Sequence, residues 1–223
     1  MSINLEKGQK ISLSKEAPGT QKFLVGLGWL QNPAFDLDVQ AWALNSNEKL
    51  IEQPGFVFYN NPFSTDRAIV HSGDNRDGAG DGDDEVLFID CSKIDPQVAQ
   101  ILFTVTIHEA ATKKQNFGQV KDSYVRLIDA STVTVTNDNA LLDQYRQETV
   151  AGNGGTATQT INKTLRDAAI AGNEIAKYEL SEEASTGSAL VFCRFYQHNG
   201  QWKFDAVGES YVADLAALVA QYQ

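Results

Sequence analysis

The sequence predicts an all-β protein: a two-sheet antiparallel β-sandwich with a C-terminal helix and a partly helical or mobile insertion at about residues 131–172. Three observations point there. Short β-forming segments recur through the first 130 residues, with turn-forming Gly, Asn, Asp and Pro between them and no long amphipathic helix separating them. A second pair of such segments flanks an Asn-Gly step near residue 200. The hydrophobic period then changes from two to that of a helix at the end of the chain.

Taken in order, Lys10-Ile11-Ser12-Leu13-Ser14 alternates as a half-buried strand does, and so does Asp38-Val39-Gln40-Ala41-Trp42-Ala43. Phe23-Leu24-Val25-Gly26-Leu27 is a continuous apolar run, the pattern of a strand covered on both faces. Val86–Ile89 and Ile101–Ile107 are two more, rich in β-formers, and Tyr124–Ile128 follows. From Ser131 to Gly172 the character shifts. Val133 and Val135 alternate with threonines as in an exposed strand. Residues 137–149 and 161–171 suit short helices, and Ala151–Thr160 has linker composition. The stretch is too short and polar to bury a core of its own, so the whole chain, 1–223, reads as one domain. Leu190–Tyr196 and Trp202–Val207 then form a hairpin around Asn199-Gly200, a pair that accepts the positive φ values of a type I′ turn. Val212, Leu215, Leu218, Val219 and Tyr222 lie at helical spacing, which predicts a closing helix packed on the sandwich.

Charge limits what the molecule can bind. The formal net charge of −11 disfavours nucleic acid and anionic membranes, which require clustered Lys and Arg. No apolar run approaches the ~20 residues of a membrane helix. The N-terminal MSINLEKGQKISLSKE lacks an apolar signal core and a small-residue cleavage site. The two cysteines, Cys91 and Cys193, fit no zinc or redox spacing and read as small buried apolar residues. These features together predict a cytoplasmic protein that is not itself a membrane protein.

Nearly half of the net charge sits in one short segment. Residues 73–85, GDNRDGAGDGDDE, carry Asp74, Asp77, Asp81, Asp83, Asp84 and Glu85 against Arg76 alone. Such a loop is strained by repulsion unless a cation joins it. Calcium takes 6–8 oxygens at about 2.3–2.6 Å from carboxylates, backbone carbonyls and water. Gly78, Gly80 and Gly82, alternating with Ala79 and Asp81, let the backbone turn and aim carbonyls inward. Asp36 and Asp38 in FDLDV, two apart on a predicted strand, place two more carboxylates on one face. The segment is not an EF-hand, because counting from Asp77 the third position is Ala79 and the twelfth Phe88. It has no GK[ST] and the wrong charge for a phosphate loop. Magnesium prefers more water, and zinc wants His or Cys, of which only His71 is near. The competing structural reading is a solvated acidic turn without an ion.

Several words of the sequence carry a family resemblance: KGQKISLSK at 7–15, VGLGW at 25–29, FDLDV at 35–39, FYNN at 58–61, the acidic loop, FTVTIHEA at 103–110, QNFGQV at 115–120, YELSEEAS at 178–185 and FYQHNGQWKFDAVGESY at 195–211. In this order, and over most of the chain, they resemble the TerD family, the tellurium-resistance and general-stress group. The resemblance implies a two-sheet sandwich binding two calcium ions at one end. It also implies a cytoplasmic bacterial protein acting in resistance to tellurite and other stresses. The metal ligands it implies are Asp36, Asp38 and the loop residues Asp74, Asn75, Asp77, Gly78, Gly80, Asp81, Gly82, Asp83, Asp84 and Glu85. Asn116 of the QNFGQV word is expected near them, and Asn61 is expected either to shape a turn or to orient the loop. The implied partners, besides calcium, are other stress or tellurium-resistance proteins, a membrane-bound one among them. Two departures stand out. Family members often have Asp after GLGW, where this chain has Leu30, and they usually run almost directly from the strand at 124–128 to that at 174–180, where about forty residues intervene here.

Two function classes follow. The first is a non-enzymatic calcium-dependent interaction scaffold in the stress response. The alternative is a metal-dependent hydrolase acting on a phosphoryl substrate, although the sequence places no evident nucleophile or base beside the loop. Direct reduction of tellurite needs thiols or a redox cofactor, and two buried cysteines offer little. His71, His108 and His198 are scattered, and His108, ending a buried strand, reads as structural.

Overall fold

The computed structural model describes residues 2–51, 55–79, 82–134, 138–152, 154–180 and 186–223. Its twelve strands are β1 (Ile3–Asn4), β2 (Lys10–Ser12), β3 (Lys22–Gly28), β4 (Leu37–Leu44), β5 (Phe56–Val57), β6 (Ile69–His71), β7 (Glu85–Asp90), β8 (Gln100–Ile107), β9 (Tyr124–Asp129), β10 (Glu174–Glu179), β11 (Ala189–His198) and β12 (Gln201–Tyr211). The helices are α1 (Leu13–Glu16), α2 (Ala110–Lys113), α3 (Asn139–Val150), α4 (Thr156–Ala171) and α5 (Leu215–Tyr222). One sheet runs β1-β10-β9-β3-β7-β6 and the other β2-β12-β11-β8-β4-β5. Every pairing is antiparallel except β1 on β10. This is the predicted two-sheet sandwich.

The continuous apolar runs have a direct cause: both sheets are covered on both faces. Phe23, Val25 and Leu27 face inward with Leu87, Ile89, Phe103, Val105, Phe192 and Phe195, the core between the sheets. Leu24, Val86, Phe88 and Ile128 point outward from the first sheet and pack under Leu142, Tyr145, Ile161, Leu165 and Ala169 of α3 and α4. Trp42, Leu44 and Leu102 point outward from the second sheet and meet Leu218 and Tyr222 of α5. Trp42 stacks on Phe56 with ring centroids 4.0 Å apart, and its indole N–H donates to Thr104.

The hairpin forms as the sequence predicts. His198 pairs with Gln201, and Asn199 and Gly200 take φ values of 52° and 71° between them. α5 also docks as expected, but it starts later than the apolar spacing suggests. The Asp214 side chain accepts from Ala217 N–H and caps the helix there, so Val212 precedes it and is 87% exposed. β2 is shorter than the alternation predicts. The chain turns into α1 at Leu13, which buries its side chain, and Ala17 N–H closes the turn on the Leu13 carbonyl.

In the 131–172 segment both expected helices form, as α3 and α4, but α4 begins at Thr156, inside the stretch of linker composition, and the expected exposed strand is absent from the described residues. Residues 131–134 form no exposed strand. Val133 N–H closes a turn on the Ala130 carbonyl, and the Val133 side chain is buried in the outer core, while Val135 lies outside the described residues. α3 and α4 form a helical pair on the outer face of the first sheet. Ala157, Ile161, Leu165 and Ala169 recur every four residues on the buried side of α4. Polar composition hid this because the segment builds no core alone; it completes one already half made by Leu24, Phe88 and Ile128. Leu165→Ala should lower stability by roughly 2–5 kcal/mol, the usual cost of a buried Leu-to-Ala cavity. Urea denaturation gives the value, and an unchanged midpoint would show that α4 is not part of the cooperative fold.

Candidate metal centre

The start of β4, with Asp36 just before it, and the loop after β6 meet at one end of the sandwich. One carboxylate oxygen from each of Asp36, Asp38 and Asp74 lies within 4.8 Å of the other two. Oxygens at about 2.3–2.6 Å from a common calcium ion are at most about 5 Å apart, so the spacing suits one ion. Asp38 is buried, Asp36 half-buried and Asp74 exposed, which opens the trio to solvent at Asp74. Asp36 Oδ1 is shielded from solvent with no hydrogen-bond partner. A shielded carboxylate oxygen of this kind costs free energy until a proton or a cation satisfies it.

Electrostatics carries the same signature. Burial, then Asp74 and Glu85, push the Asp36 carboxyl up to about 6 against relief from His108. Burial first, then Glu85, Asp36 and Asp74, push Asp38 well above the usual carboxylate range. His108 Nδ1 lies 3.8 Å from Asp38 Oδ2. Without a cation Asp36 and Asp38 hold protons that isolated carboxylates would release.

Glu85 fixes the loop to β4. It is fully buried; Oε2 accepts from Val39 N–H at 2.7 Å and Oε1 from Asn75 N–H at 3.2 Å. His71 braces the same junction. Its Nδ1 accepts from Gly73 N–H at 2.9 Å, which leaves Nε2 to donate to the Val39 carbonyl at 3.1 Å. Asn75 shapes the loop interior. Its Oδ1 accepts from Asp77 and Gly78 N–H, and its Nδ2 donates to Asp84 Oδ1 at 3.1 Å. Asp77 accepts from Ala79 N–H, and its carbonyl accepts from Asn32 N–H.

The other loop acids look elsewhere. Asp84 Oδ2 accepts from Trp29 N–H at 3.0 Å, and burial raises its carboxyl to about 6 against the relief of that bond. Asp83 accepts from Arg126 Nε at 2.7 Å; burial raises its carboxyl and the Arg126 bond opposes that. Gly78 and Gly82 take φ values of 68° and 83° where the loop turns. Gly80 and Asp81 lie outside the described residues. Asn61 turns inward, donating from Nδ2 to the Phe56 carbonyl. Asn116 caps the short 3₁₀ turn Phe117–Gln119 in reciprocal bonds with Gln119. Neither belongs to the trio.

Several residues at this end were not singled out as site residues in the sequence. Tyr59 faces the trio: its hydroxyl is raised by burial and then by Asp38, Asp74 and Asp36. His108, read as structural, comes beside Asp38 because Thr106 pairs with Asp38 across β8 and β4. Arg166 of α4 donates to the Asp84 carbonyl at 2.6 Å, and Arg126 donates to the Ala169 carbonyl at 3.1 Å, so α4 is tied to the loop. The register that brings His108 and Arg126 here depends on strand pairing, which no single motif encodes. Leu30, where the family often has Asp, is exposed, and its N–H donates to the Lys121 carbonyl.

Fold and site together define a β-sandwich protein that gathers acidic side chains at one end. The TerD domain model matches residues 1–155 and again 155–222. The chain is 41% identical over 226 residues to the tellurium resistance protein TerD of Serratia marcescens, covering 100% of this chain and 97% of that one. It is 34% identical over 227 residues to general stress protein 16U of Bacillus subtilis (strain 168), covering 100% and 97%. A crystal structure of a TerD homologue from Streptomyces coelicolor A3(2) superposes with a TM-score of 0.61 at 18% identity, over 90% of this chain and 96% of that one, and shows the same fold. The chain belongs to the TerD family.

The raised carboxyls set a pH dependence for the metal-free protein. Asp36 and Asp38 hold protons more tightly folded than unfolded, where a carboxyl titrates near 3.8. As pH rises above about 4 the unfolded chain releases these protons while the folded state still holds them, so stability falls until the folded carboxyls titrate in turn, Asp36 at about 6 and Asp38 well above that. In chelator, Tm should decline from pH 5 to pH 8, and Asp38→Asn should flatten the decline. A Tm that rises over this interval would contradict the assignment.

Proposed function

We propose that this chain is a calcium-binding stress-response protein, associated with tellurite resistance, that works as a calcium-dependent interaction scaffold and not as an enzyme. The observation that carries the reading is the convergence of Asp36, Asp38 and Asp74 within 4.8 Å, with a shielded, unpartnered oxygen on Asp36. Calcium would replace the protons that Asp36 and Asp38 otherwise hold, and it would rigidify the loop that Glu85 and Asn75 pin to β4. The names of the relatives support the stress and tellurium context. The expected stoichiometry of two ions and the expected partners, other stress or tellurium-resistance proteins including a membrane-bound one, rest on the family resemblance. The reading places the protein in the cytoplasm; among the described residues no helix is long and apolar enough to cross a membrane. Both thiols are buried and raised by that burial, which weighs against direct redox handling of tellurite.

One observation favours a second reading, metal-dependent hydrolysis of a phosphoryl substrate. His108, partly exposed beside Asp38, stands where a general base for a metal-activated water would stand. Turnover of p-nitrophenyl phosphate in calcium, magnesium or manganese that is lost in His108→Ala would favour it over the scaffold.

Calorimetric titration with calcium, paired with thermal melts, tests the main reading. At a hundredfold excess over Kd, calcium should add about 2.7 kcal/mol, roughly 5–10 °C in Tm for a chain of this size. Asp38→Asn should remove both the heat and the shift. Identical melts in calcium and in chelator would refute calcium binding.

A further inference from the structure

A cavity of about 470 Å³ opens beside the trio, between the start of the acidic loop and the facing ends of α3 and α4. Tyr59, Asn60, Asp74, Thr158, Gln159 and Asn162 line it. Its size falls in the range of small-molecule sites, about 300–1,000 Å³. The wall is well fixed. The Asn162 amide packs against Gly73, where a Cβ would come within 2.7 Å of it, and Gly73 sits at φ 94°. On the α3 side, the Tyr145 hydroxyl donates to the His71 carbonyl at 2.9 Å.

The charges of this wall are already engaged. Arg76, the one cation among the described lining residues, donates to Asp74 at 2.9 Å. Glu148 accepts from Ala157 N–H and from Thr158 N–H and hydroxyl, capping α4. The groups left to a ligand are neutral: the ring and hydroxyl of Tyr59, the side-chain amides of Asn60 and Asn162, and the Oε1 of Gln159, whose Nε2 donates to the Gly154 carbonyl at 3.4 Å. Asn162 Oδ1 is shielded from solvent and has no hydrogen-bond partner. An amide offers a donor and an acceptor side by side, which matches neighbouring hydroxyls on a sugar ring, and an aromatic side chain suits its C–H faces. A phosphate or carboxylate would find no unpaired cation here to offset its desolvation.

We propose that this cavity binds a neutral polyhydroxylated small molecule of the saccharide class, held by Tyr59, Asn60, Gln159 and Asn162. The site goes beyond the calcium reading and meets it only at Asp74.

The test is calorimetric titration of the full chain, in calcium and again in chelator. The neutral probes are methyl α-D-glucopyranoside, methyl α-D-mannopyranoside, methyl β-D-galactopyranoside and adenosine, with inorganic phosphate as the anionic control. Saturable binding of at least one neutral probe is expected, with no phosphate binding. Tyr59→Phe and Gln159→Ala should each weaken it about fivefold or more, the loss of one hydrogen bond, while Tm stays within about 2 °C. Binding of a methyl glycoside assigns a sugar ring, and binding of adenosine alone assigns a nucleoside ribose. Silence from every neutral probe, preference for phosphate, or undiminished binding in both variants overturns the proposal. Calcium heats recorded in the same samples separate the two readings: calcium binding without saccharide binding sinks this one, and saccharide binding without calcium binding sinks only the metal reading.

Discussion

Like-charge repulsion among Asp36, Asp38 and Asp74 is the constraint around which this end of the molecule is organised. Left to themselves, three carboxylates at that spacing would swing into solvent. Two of them cannot, because β4 is hydrogen-bonded along its length to β8 and sits between the core and the outer layer under α5. The strand therefore holds Asp36 and Asp38 in place at the cost of raised carboxyl titration, and the cost falls on the metal-free state alone. A cation at the meeting point of the three carboxylates would offset the same repulsion.

The loop that brings the third carboxylate is held from three sides. Glu85 and His71 tie its two roots to β4 through the Val39 backbone. Asn75 ties its start to Asp84 near its end. Arg166 ties that end to α4. The acids of residues 73–85 therefore divide their work. Asp74 completes the trio, Glu85 anchors, Asp77 stabilises a backbone turn, Asp84 holds the Trp29 backbone after β3, and Asp83 pairs with Arg126. Counting charges along the loop suggests a larger ligand set than the side chains of the described residues present at one point.

Much of this fold was legible because burial on both faces leaves a strong mark: the runs at 23–27, 86–89 and 101–107 could be little else. The Asn-Gly turn was equally plain, since few residue pairs tolerate two positive φ values in succession. In the 131–172 segment the two helices were legible, but not their packing on the first sheet. Its apolar residues Ile161, Leu165 and Ala169 are sparse, and their partners Leu24, Phe88 and Ile128 come from distant strands. At the site, the pair Asp36 and Asp38 was readable from strand alternation and the acidic loop from composition, while their meeting was only implied by the family resemblance. Tyr59 and His108 were not recognised there, because their proximity follows from strand register and a turn geometry that only the assembled sandwich defines.

The edges of the sandwich have a consequence for how the chain is made. β1 pairs with β10 through Ile3 and Ala176, and β2 pairs with β12 through Lys10 and Asp205. The two N-terminal strands therefore pair only with strands that lie far along the chain, in its final third. Until β10 and β12 are made, β1 and β2 have no strand to join, while β10 and β12 find β9 and β11 already beside them. Both sheets close on long-range pairings of this kind, which slow folding and leave strand edges open to association until they form.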